Sequence, residues 1–324
     1  MKILITGATG HAGSVLVERI LEQTNWHVFT LERLSNGLLY DNTFDRLAKV
    51  RYELRLRRLY HDFRAALPPW LLDVLEGVDF IVHNGAEVHA IRSLTNPELF
   101  VQANTLGVFN MLEAARALRP KVFLYTSSAE VFGPKPPNSA HMENSSLNPS
   151  NPYAASKAAG EMLVKAWHRT FDVPTIITRT MNLFGKKQQV SKFVPMVLAK
   201  ALAGETVKVH VGADGQPGTR QWMYVEDYVD ALLFLLQNGK VGEAYNIAGY
   251  LRNNFDVIRT IAIVSNLQIS TLPVDVSIHH KAHDLHYRID DPKIRRMGWK
   301  PNWGFDSAIR ETVDWYLANK EWLK

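Results

Sequence analysis

Short apolar runs alternate along the chain with longer segments in which apolar residues recur at helical spacing. The runs cover residues 2–6, 27–31, 78–83, 121–125 and 175–179. Amphipathic helices are predicted between them, from Ser14 to about Gln23, over about 103–118, and from the region of Lys157 to about Phe171. Strands that are apolar throughout and separated by helices are typical of a parallel sheet covered on both faces. The pattern therefore predicts an α/β fold with a doubly wound parallel sheet.

The alternation changes after Asn182, where segments with their own helices and short strands mix with pieces that should return to the sheet. A chain of 324 residues can form one large α/β unit or two lobes. We expect a first domain over residues 1–182 and a smaller substrate-binding lobe mainly over 183–324. Residues 221–249 are expected to return to the first domain.

A glycine-rich turn follows the first predicted strand and leads directly into a helix. Its glycines are Gly7, Gly10 and Gly13, which suit a tight turn, a close approach of backbone to a pyrophosphate and close packing of helix on strand. The same spacing recurs in residues 212–218, but Pro217 and the sequence after it give no helix. The first copy therefore predicts dinucleotide binding by a Rossmann-type sheet.

Glu32 ends the second predicted strand, where a carboxylate can accept both ribose hydroxyls of NAD and would repel a 2′-phosphate. Arg33 beside it is the residue type that could receive that phosphate, so NADP stays an alternative to the preferred NAD. Asp62, expected to end the third strand, is predicted near the adenine. Ala86, after the fourth strand, is predicted to lie beneath the cofactor.

The catalytic prediction rests on residues that follow the fifth strand and on the helix start after it. Ser128 and Glu130 should lie at the carboxyl end of that strand, where open α/β sheets bind ligands. Tyr153 and Lys157 are four residues apart on one helix face. A free phenol has a pKa of about 10, which a nearby ammonium and a cationic nicotinamide would lower. A second Tyr-x-x-x-Lys motif begins at Tyr316, but no predicted strand that ends in serine or threonine side chains precedes it.

Composition narrows the alternatives. The chain has no cysteine, which excludes disulfides and cysteine-based zinc sites and favours a cytoplasmic location. The start of the sequence has no secretory signal pattern, and no apolar run is long enough to span a membrane. The formal net charge is +5, but basic residues are mixed with acidic ones except in residues 51–58, which we interpret as a solvated face. We expect no nucleic-acid partner, no membrane partner and no metal, and the mild positive field suits a small anionic substrate.

Together these motifs resemble the extended short-chain dehydrogenase/reductases, and within them the nucleotide-sugar 4,6-dehydratases. The resemblance covers nearly the whole chain. In chain order it rests on Thr6–Gly13, His83–Glu87 with Arg92 and Ser93, Asn104, Ser127–Gly133, Tyr153 with Lys157, Arg179–Gly185, Arg220–Asp227, Tyr245–Ile247 and His283–Asp290, with Gly298, Trp299, Trp315 and Tyr316 after it.

The resemblance implies chemistry in which NAD is reduced and then reoxidised. Tyr153 as phenolate would take the C4 hydroxyl proton of the sugar while hydride passes to NAD⁺, and Ser128 would hydrogen-bond the same oxygen. Lys157 would hold the phenolate and the ribose. Glu130 would remove the C5 proton before water leaves from C6.

The resemblance also implies the substrate contacts and an assembly. Glu87, Asn182 and Lys192 would contact the nucleotide diphosphate sugar, and Arg220 would clamp its diphosphate. Members often form homodimers through a four-helix bundle, here the helices after Ala103 and at Tyr153.

Two departures leave the reaction open. Ala129 stands where glucose 4,6-dehydratases usually carry the aspartic acid that protonates the C6 hydroxyl, and alanine has no proton to donate. Ala129 thus favours a 4-epimerase, and a decarboxylase is a further alternative on this scaffold. The second diphosphate-binding arginine is also missing, and His279, His280 and Lys281 lie near its place. A non-catalytic protein that binds NAD or RNA is the alternative outside enzymes.

Overall fold

The computed structural model describes residues 1–33, 46–136, 138–275 and 285–324, and all structural statements below concern these residues. Its strands are β1 (Lys2–Thr6), β2 (His27–Glu32), β3 (Leu56–Tyr60), β4 (Phe80–His83), β5 (Val122–Thr126), β6 (Thr175–Arg179), β7 (Leu183–Phe184), β8 (Val207–Val211), β9 (Thr219–Tyr224), β10 (Ala244–Asn246), β11 (Tyr250–Asn253) and β12 (Thr271–Asp275).

The helices are α1 (His11–Gln23), α2 (Pro69–Val74), α3 (Ala90–Thr95), α4 (Pro97–Val101), α5 (Gly107–Leu118), α6 (Pro152–Phe171), α7 (Phe193–Leu202), α8 (Val225–Asn238), α9 (Asn254–Ser265), α10 (Pro292–Arg296) and α11 (Phe305–Ala318). A π-helical turn, Gln102–Leu106, joins α4 to α5, and a 3₁₀ turn, Ala129–Phe132, follows β5. Among the described helices, none has the length and apolar character needed to cross a membrane.

Seven parallel strands form the main sheet, in the order β10-β6-β5-β4-β1-β2-β3. The chain moves outward from β1 through β2 to β3, then returns to the other side of β1 and moves outward again from β4. This reversal creates a crevice at the carboxyl ends of β1 and β4, where such sheets bind ligands. The predicted α/β fold class is confirmed, and the predicted strands in the sheet are shifted by two residues at most.

Apolar cores cover both faces of the sheet. Successive residues of β1 alternate between them: Ile3 and Ile5 pack in the core that contains residues of α1, α8 and α11, and Leu4 packs in the core that contains residues of α5. All three side chains are fully buried. Burial on both faces explains why the strands are apolar throughout instead of alternating.

The later part of the chain forms two further small sheets and also contributes to the main one. β11, β9 and β7 form a three-stranded sheet, β12 pairs with β8, and β10 completes the edge of the seven-stranded sheet. The Gln221 amide exchanges two hydrogen bonds with the backbone of Ile289, at 3.0 and 2.8 Å. Asn246 donates to the carbonyl oxygens of His141 and Asp290. These amides fix the segment after residue 285 against the end of the main sheet.

A buried ion pair joins β6 to α6. The Arg179 guanidinium donates to both carboxylate oxygens of Glu161, at 2.8 and 2.6 Å, and the side chains are 1% and 0% exposed. Arg179 also donates to the Glu143 carbonyl oxygen and lies 4.7 Å from the ring centroid of Phe132. The pair therefore connects the helix that carries Tyr153 with the turn after β5.

Replacing Arg179 with methionine should lower the free energy of unfolding by about 3–5 kcal/mol, because it leaves the Glu161 carboxylate buried without its cation. Chemical denaturation measures the loss. The matched control is Arg259→Met, which breaks an exposed ion pair with Asp256 and should change stability by no more than about 0.5 kcal/mol. The double variant Arg179→Met/Glu161→Leu should recover part of the loss, and equal losses in the single and double variants would contradict this explanation.

Candidate active site

The glycine turn after β1 packs directly on the backbone after β4. Gly7 has φ +66°, and a Cβ added to it would lie 2.8 Å from Cα of Gly85. A Cβ on Gly13 would lie 2.1 Å from the Gly7 carbonyl oxygen. No side chain other than hydrogen fits at either position, since real Cβ contacts are longer than this. The turn thus brings bare backbone to the crevice between β1 and β4.

The first turn of α1 leaves its backbone donors available for an anion. Gly10 is the N-cap and supplies no capping side chain, and the first turn contains no acidic residue. Unsatisfied N–H groups and the helix dipole favour a phosphate at such an end. Arg46 donates to the Thr9 carbonyl oxygen at 3.3 Å, which places a cation beside the turn. Burial, with the charges of Arg46 and Lys192, lowers the pKa of His11 to about 3, so its imidazole is neutral.

Glu32 lies at the end of β2 and is 5% exposed. One carboxylate oxygen accepts from the Thr30 hydroxyl at 2.7 Å and from Arg58 Nε at 2.9 Å, and the other accepts from Arg58 Nη2 at 2.7 Å. Arg33, the residue that kept NADP open as an alternative, instead donates to Glu87 at 3.3 Å. The arginine that hydrogen-bonds Glu32 is therefore Arg58 of β3. It belongs to residues 51–58, which were expected to form a solvated face.

Asp62 and Ala86 lie in the loops after β3 and β4. The Arg64 guanidinium donates hydrogen bonds to both oxygens of the Asp62 carboxylate, the shortest at 2.6 Å. Burial raises the pKa of Asp62, but the hydrogen bonds and charge of Arg64 outweigh it, and the net shift is downward. The loop that contains Ala86 is held at its start by the Thr6 hydroxyl, which accepts from the Gly85 N–H at 2.9 Å.

Asn104, in the π-helical turn, connects the loop after β4 to α6, the helix that carries Tyr153. Its amide accepts from the Glu87 N–H and donates to the Glu87 carbonyl oxygen, both at 2.9 Å. It also donates to the Ser156 hydroxyl at 3.0 Å, and Ser156 donates to the Tyr153 carbonyl oxygen at 2.7 Å. The Tyr153 N–H donates to the Ser93 hydroxyl at 3.1 Å. The start of α6 is thereby fixed relative to the loop after β4.

Ser128, Glu130 and Tyr153 form one cluster at the carboxyl end of β5. Ser128 caps the 3₁₀ turn by accepting from the Glu130 N–H at 3.2 Å, and it hydrogen-bonds the Tyr153 side chain. Asn151 caps α6 by accepting from the Ala154 N–H at 2.9 Å and donates to the Glu130 carboxylate at 3.3 Å. One short turn and one helix cap therefore place a hydroxyl, a phenol and a carboxylate next to each other.

Burial shifts the pKa values of Tyr153 and Lys157 in opposite directions. Burial and then the charge of Glu130 raise the pKa of Tyr153, against an opposing hydrogen bond from Ser128. Lys157 donates to the Thr126 carbonyl oxygen at 2.6 Å and lies 4.4 Å from the ring centroid of Tyr125. Burial lowers the pKa of Lys157 to about 7. In the protein without bound cofactor, burial and the Glu130 carboxylate therefore set the direction of the phenol pKa. The expected lowering by Lys157 together with a cationic nicotinamide stays a prediction.

The residues predicted to contact substrate lie on several different elements of the structure. Glu87 accepts from Arg33 and Arg92, and Lys192 donates to the Val88 carbonyl oxygen at 3.3 Å. Asn182 has φ +41° and donates to the Gln221 carbonyl oxygen at 3.2 Å. Arg220, on β9, lies 5.2 Å from the ring centroid of Tyr287.

Ala129 lies in an apolar environment. It is 1% exposed and belongs to a buried cluster that also contains Met181, Ala248 and Tyr287. Its N–H donates to the Thr180 carbonyl oxygen at 2.9 Å. The side chain is therefore a packing element of the turn, next to the acidic residue at 130.

Three remaining sequence-based points concern the residues 279–281, the second tyrosine motif and a metal site. His279, His280 and Lys281 lie outside the described residues. The second tyrosine motif is part of the core, because Tyr316 is fully buried and donates to the Gln188 carbonyl oxygen at 2.5 Å. Within the described ranges no group of three or more histidine, aspartate or glutamate residues could hold a metal ion.

Residues 3–248 match the family described as the NAD dependent epimerase/dehydratase family. The chain belongs to this family. Among epimerase/dehydratase relatives, a dTDP-glucose 4,6-dehydratase of Shigella flexneri is 35% identical over 352 residues, covering 100% of this chain and 95% of the relative. A dTDP-glucose 4,6-dehydratase of Neisseria meningitidis serogroup B is 33% identical, covering 99% and 94%.

A solved structure has the same fold over its whole length. DesIV, a dTDP-glucose 4,6-dehydratase from Streptomyces venezuelae crystallised with NAD bound, superposes with a TM-score of 0.89 at 30% identity and covers 100% of both chains. This epimerase/dehydratase chain therefore shares both sequence and architecture with NAD-dependent enzymes along its full length.

The buried amine of Lys157 predicts a specific pH dependence of stability. Its pKa is about 7 in the folded protein and about 10.4 when exposed, so between these values the unfolded chain binds more protons. The free energy of unfolding should therefore rise with pH in that window, by up to about 1.4 kcal/mol per unit from this group. Lys157→Met should lose that slope, and the exposed control Lys121→Met should keep it. Parallel pH profiles for the cofactor-free protein and Lys157→Met would show that the amine is not buried in this way.

Proposed function

We propose that the chain is an NAD-dependent 4,6-dehydratase of a nucleotide diphosphate sugar, acting by oxidation at C4, elimination of water across C5 and C6, and reduction at C6. The observation that carries the proposal is the grouping of Ser128, Glu130 and Tyr153 at the carboxyl end of β5, on the same edge of the sheet as the glycine turn. This cluster offers a hydroxyl-proton acceptor and a separate carboxylate, which are the two bases that the sequence of steps needs. The full-length relatives named dTDP-glucose 4,6-dehydratase support it.

The crevice fits NAD. The bare backbone at Gly7, Gly10 and Gly13 and the uncapped start of α1 suit the pyrophosphate. We propose that Glu32 and Lys157 contact the ribose hydroxyls. The loop with Asp62 would lie near the adenine, and the loop with Ala86 would lie beneath the cofactor. Bound NAD⁺ would accept the C4 hydride and later return it to C6, and its charge would favour the Tyr153 phenolate.

Tyr153 and Ser128 would act on the C4 oxygen. Tyr153 takes the C4 hydroxyl proton as the carbonyl forms, and Ser128 donates a hydrogen bond to that oxygen. Because burial and Glu130 raise the phenol pKa, deprotonation of Tyr153 depends on positive charge that arrives with the cofactor. Lys157, held at the Thr126 carbonyl oxygen, adds positive charge on the same side when it is protonated.

Glu130 would act at C5 and C6. The 4-keto sugar has an acidic C5 hydrogen, which the Glu130 carboxylate removes. The same carboxyl group then gives this proton to the departing C6 hydroxyl, so that water leaves and Glu130 returns to its ionised state. The reduction at C6 also needs one proton at C5, which Glu130 would take from solvent and deliver, while Tyr153 releases the C4 hydroxyl proton to solvent. This double role follows from Ala129, whose methyl group has no proton to supply. Asn151 donates to Glu130 and keeps the carboxylate facing the cluster.

The substrate would lie between the main sheet and the later part of the chain. We assign the diphosphate to Arg220 and Lys192 and the sugar to Glu87 and Asn182, with residues 183–324 mainly forming the substrate lobe. Residues 221–249 belong with the NAD domain in this division, which agrees with the position of β10 in the main sheet. A cytoplasmic location is part of the proposal and is supported by the absence of cysteine.

A 4-epimerase is the second candidate, and Ala129 is the observation that favours it. An epimerase needs only the exchange of hydride and proton at C4, which Tyr153 and Ser128 can carry out without an acid at position 129. Glu130 would then have no base role. The fate of the C5 hydrogen separates the two functions.

Mass spectrometry of nucleotide hexoses and hexuronates turned over in deuterated water should give a product lighter by one water with deuterium at C5. The deuterium arises because the final reduction adds a proton to C5, and Glu130, ionised after water has left, would take that proton from solvent. An isomer of unchanged mass without deuterium would establish 4-epimerisation instead, and loss of carbon dioxide would establish a decarboxylase.

Glu130→Gln tests the assignment of the C5 base in the same assay. The variant should still oxidise C4 and should then stop, so the 4-keto sugar accumulates with no loss of water. Glu205→Gln, at an exposed carboxylate, is the control and should behave as the unaltered enzyme. Normal dehydration by Glu130→Gln would rule out the double role of Glu130.

We further propose a homodimer formed through α5 and α6. Leu106, Phe109 and Met162 are apolar and 45%, 38% and 47% exposed, and Phe109 contacts Trp167 edge to face with ring centroids 5.6 Å apart. Phe109 and Met162 lie on α5 and α6, and Leu106 ends the π-helical turn before α5. Exposed apolar side chains on such a surface gain stability when they are covered.

Phe109→Glu combined with Met162→Glu should give a monomer in sedimentation equilibrium, because charges would be buried at the shared surface. Ile263→Glu, at a residue 71% exposed on α9, should leave the mass unchanged. A dimer that persists in the double variant would place the interface elsewhere.

A further inference from the structure

The end of β2 contains an ion pair whose role the proposed chemistry leaves unexplained. The Arg58 guanidinium donates one hydrogen bond to each oxygen of the Glu32 carboxylate, at 2.9 and 2.7 Å. The carboxylate side chain is 4% exposed and the guanidinium 23% exposed. A forked contact of this type fixes both the position and the rotation of a carboxylate. Glu32 is therefore held rigidly where it meets the crevice.

Strand register explains the pairing. β2 and β3 are parallel, with Thr30 opposite Arg58. Residues two apart on a strand share a face, so Thr30 and Glu32 both lie on the face that Arg58 occupies. Thr30 donates its hydroxyl to the same carboxylate oxygen as Arg58 Nε. Neighbouring side chains on one face thus set the orientation of Glu32.

We propose that Arg58 is the positioning residue through which the enzyme selects NAD over NADP, an inference that rests on the proposed role of Glu32 at the ribose. With Oε1 accepting from Thr30 and Arg58, the contact leaves one lone pair, on Oε2, to accept from a ribose hydroxyl. The same carboxylate neutralises Arg58 and repels a 2′-phosphate. Removing the charge of Glu32 leaves the Arg58 guanidinium as a phosphate-binding group at that place.

Among the described residues, two other arginines near the end of β2 are engaged in different pairs. Arg33 donates to Glu87, which also accepts from Arg92. Arg64 forks Asp62. Arg58 is the arginine with the two-point contact to Glu32, and this contact distinguishes it from Arg33, which sequence position alone would select for the same role.

The test measures dissociation constants of NAD and NADP by isothermal titration calorimetry, on protein freed of cofactor. Glu32→Gln, which keeps the size and removes the charge, should tighten NADP binding at least about tenfold and weaken NAD binding. Adding Arg58→Met should abolish the NADP gain, and adding Arg33→Met should leave it intact. Arg58→Met alone should weaken NAD binding about tenfold. Arg57→Met, on the same strand and exposed, is the matched control with no change.

The ratio of the two dissociation constants separates positioning from a structural role, because a loss of stability alone would weaken both cofactors equally. Arg58→Lys in the Glu32→Gln background covers the case in which Arg58→Met does not fold, since it keeps the charge and should keep part of the NADP gain. An NADP gain that disappears with Arg33→Met and survives Arg58→Met overturns the proposal, as does a Glu32→Gln variant with no NADP gain. The calorimetric test measures cofactor binding without sugar turnover. A negative result for Arg58 therefore does not decide the outcome of the dehydration assay.

Discussion

The structure depends on the direct contact of two backbone turns, one after β1 and one after β4. Gly7 and Gly85 approach so closely that a single Cβ would separate the turns. The contact sits where the strand order reverses, so it shapes the crevice in which the cofactor is expected. From there Thr6 and Asn104 extend the constraint to the loop after β4 and to the start of α6. The positions of the loop after β4 and of the start of α6, which carries Tyr153, thus depend on packing that excludes side chains.

Burial sets the charge state around this contact. The imidazole of His83 lies between Thr6 and the rings of Phe63 and Tyr125, and burial, with the charge of Lys157, lowers its pKa to about 3. Burial also raises the pKa of Tyr153 and lowers that of Lys157. Each shift favours the neutral form of its group. A charged ligand entering the crevice therefore meets a site of low dielectric, where its own charge acts strongly on the phenol.

The sequence predicted features that depend on residues close together in the chain. The strands follow from local spacing and were found within two residues of their predicted positions. The same local spacing puts the glycine turn at Gly7 directly after β1 and Ser128 directly after β5. The partner of Glu32 did not follow, because Arg58 is 26 residues away and reaches it only through the register of β2 and β3. The hydrogen bond of the Lys157 amine did not follow either, since its acceptor is the backbone carbonyl of Thr126 at the end of β5. Contacts across strands and between a helix and a sheet are set by the packed fold.

Ala129 is best understood from the balance of protons in the proposed elimination. Loss of water removes one proton from C5 and adds one to the C6 oxygen, so the step needs no net proton from the protein. A carboxyl group that reaches both positions can therefore replace a separate base and acid. Ala129 packs within an apolar cluster, and Asn151 donates a hydrogen bond to Glu130. In the proposed mechanism the alanine thus places both proton transfers on one carboxylate, whose orientation must then be fixed by its neighbours.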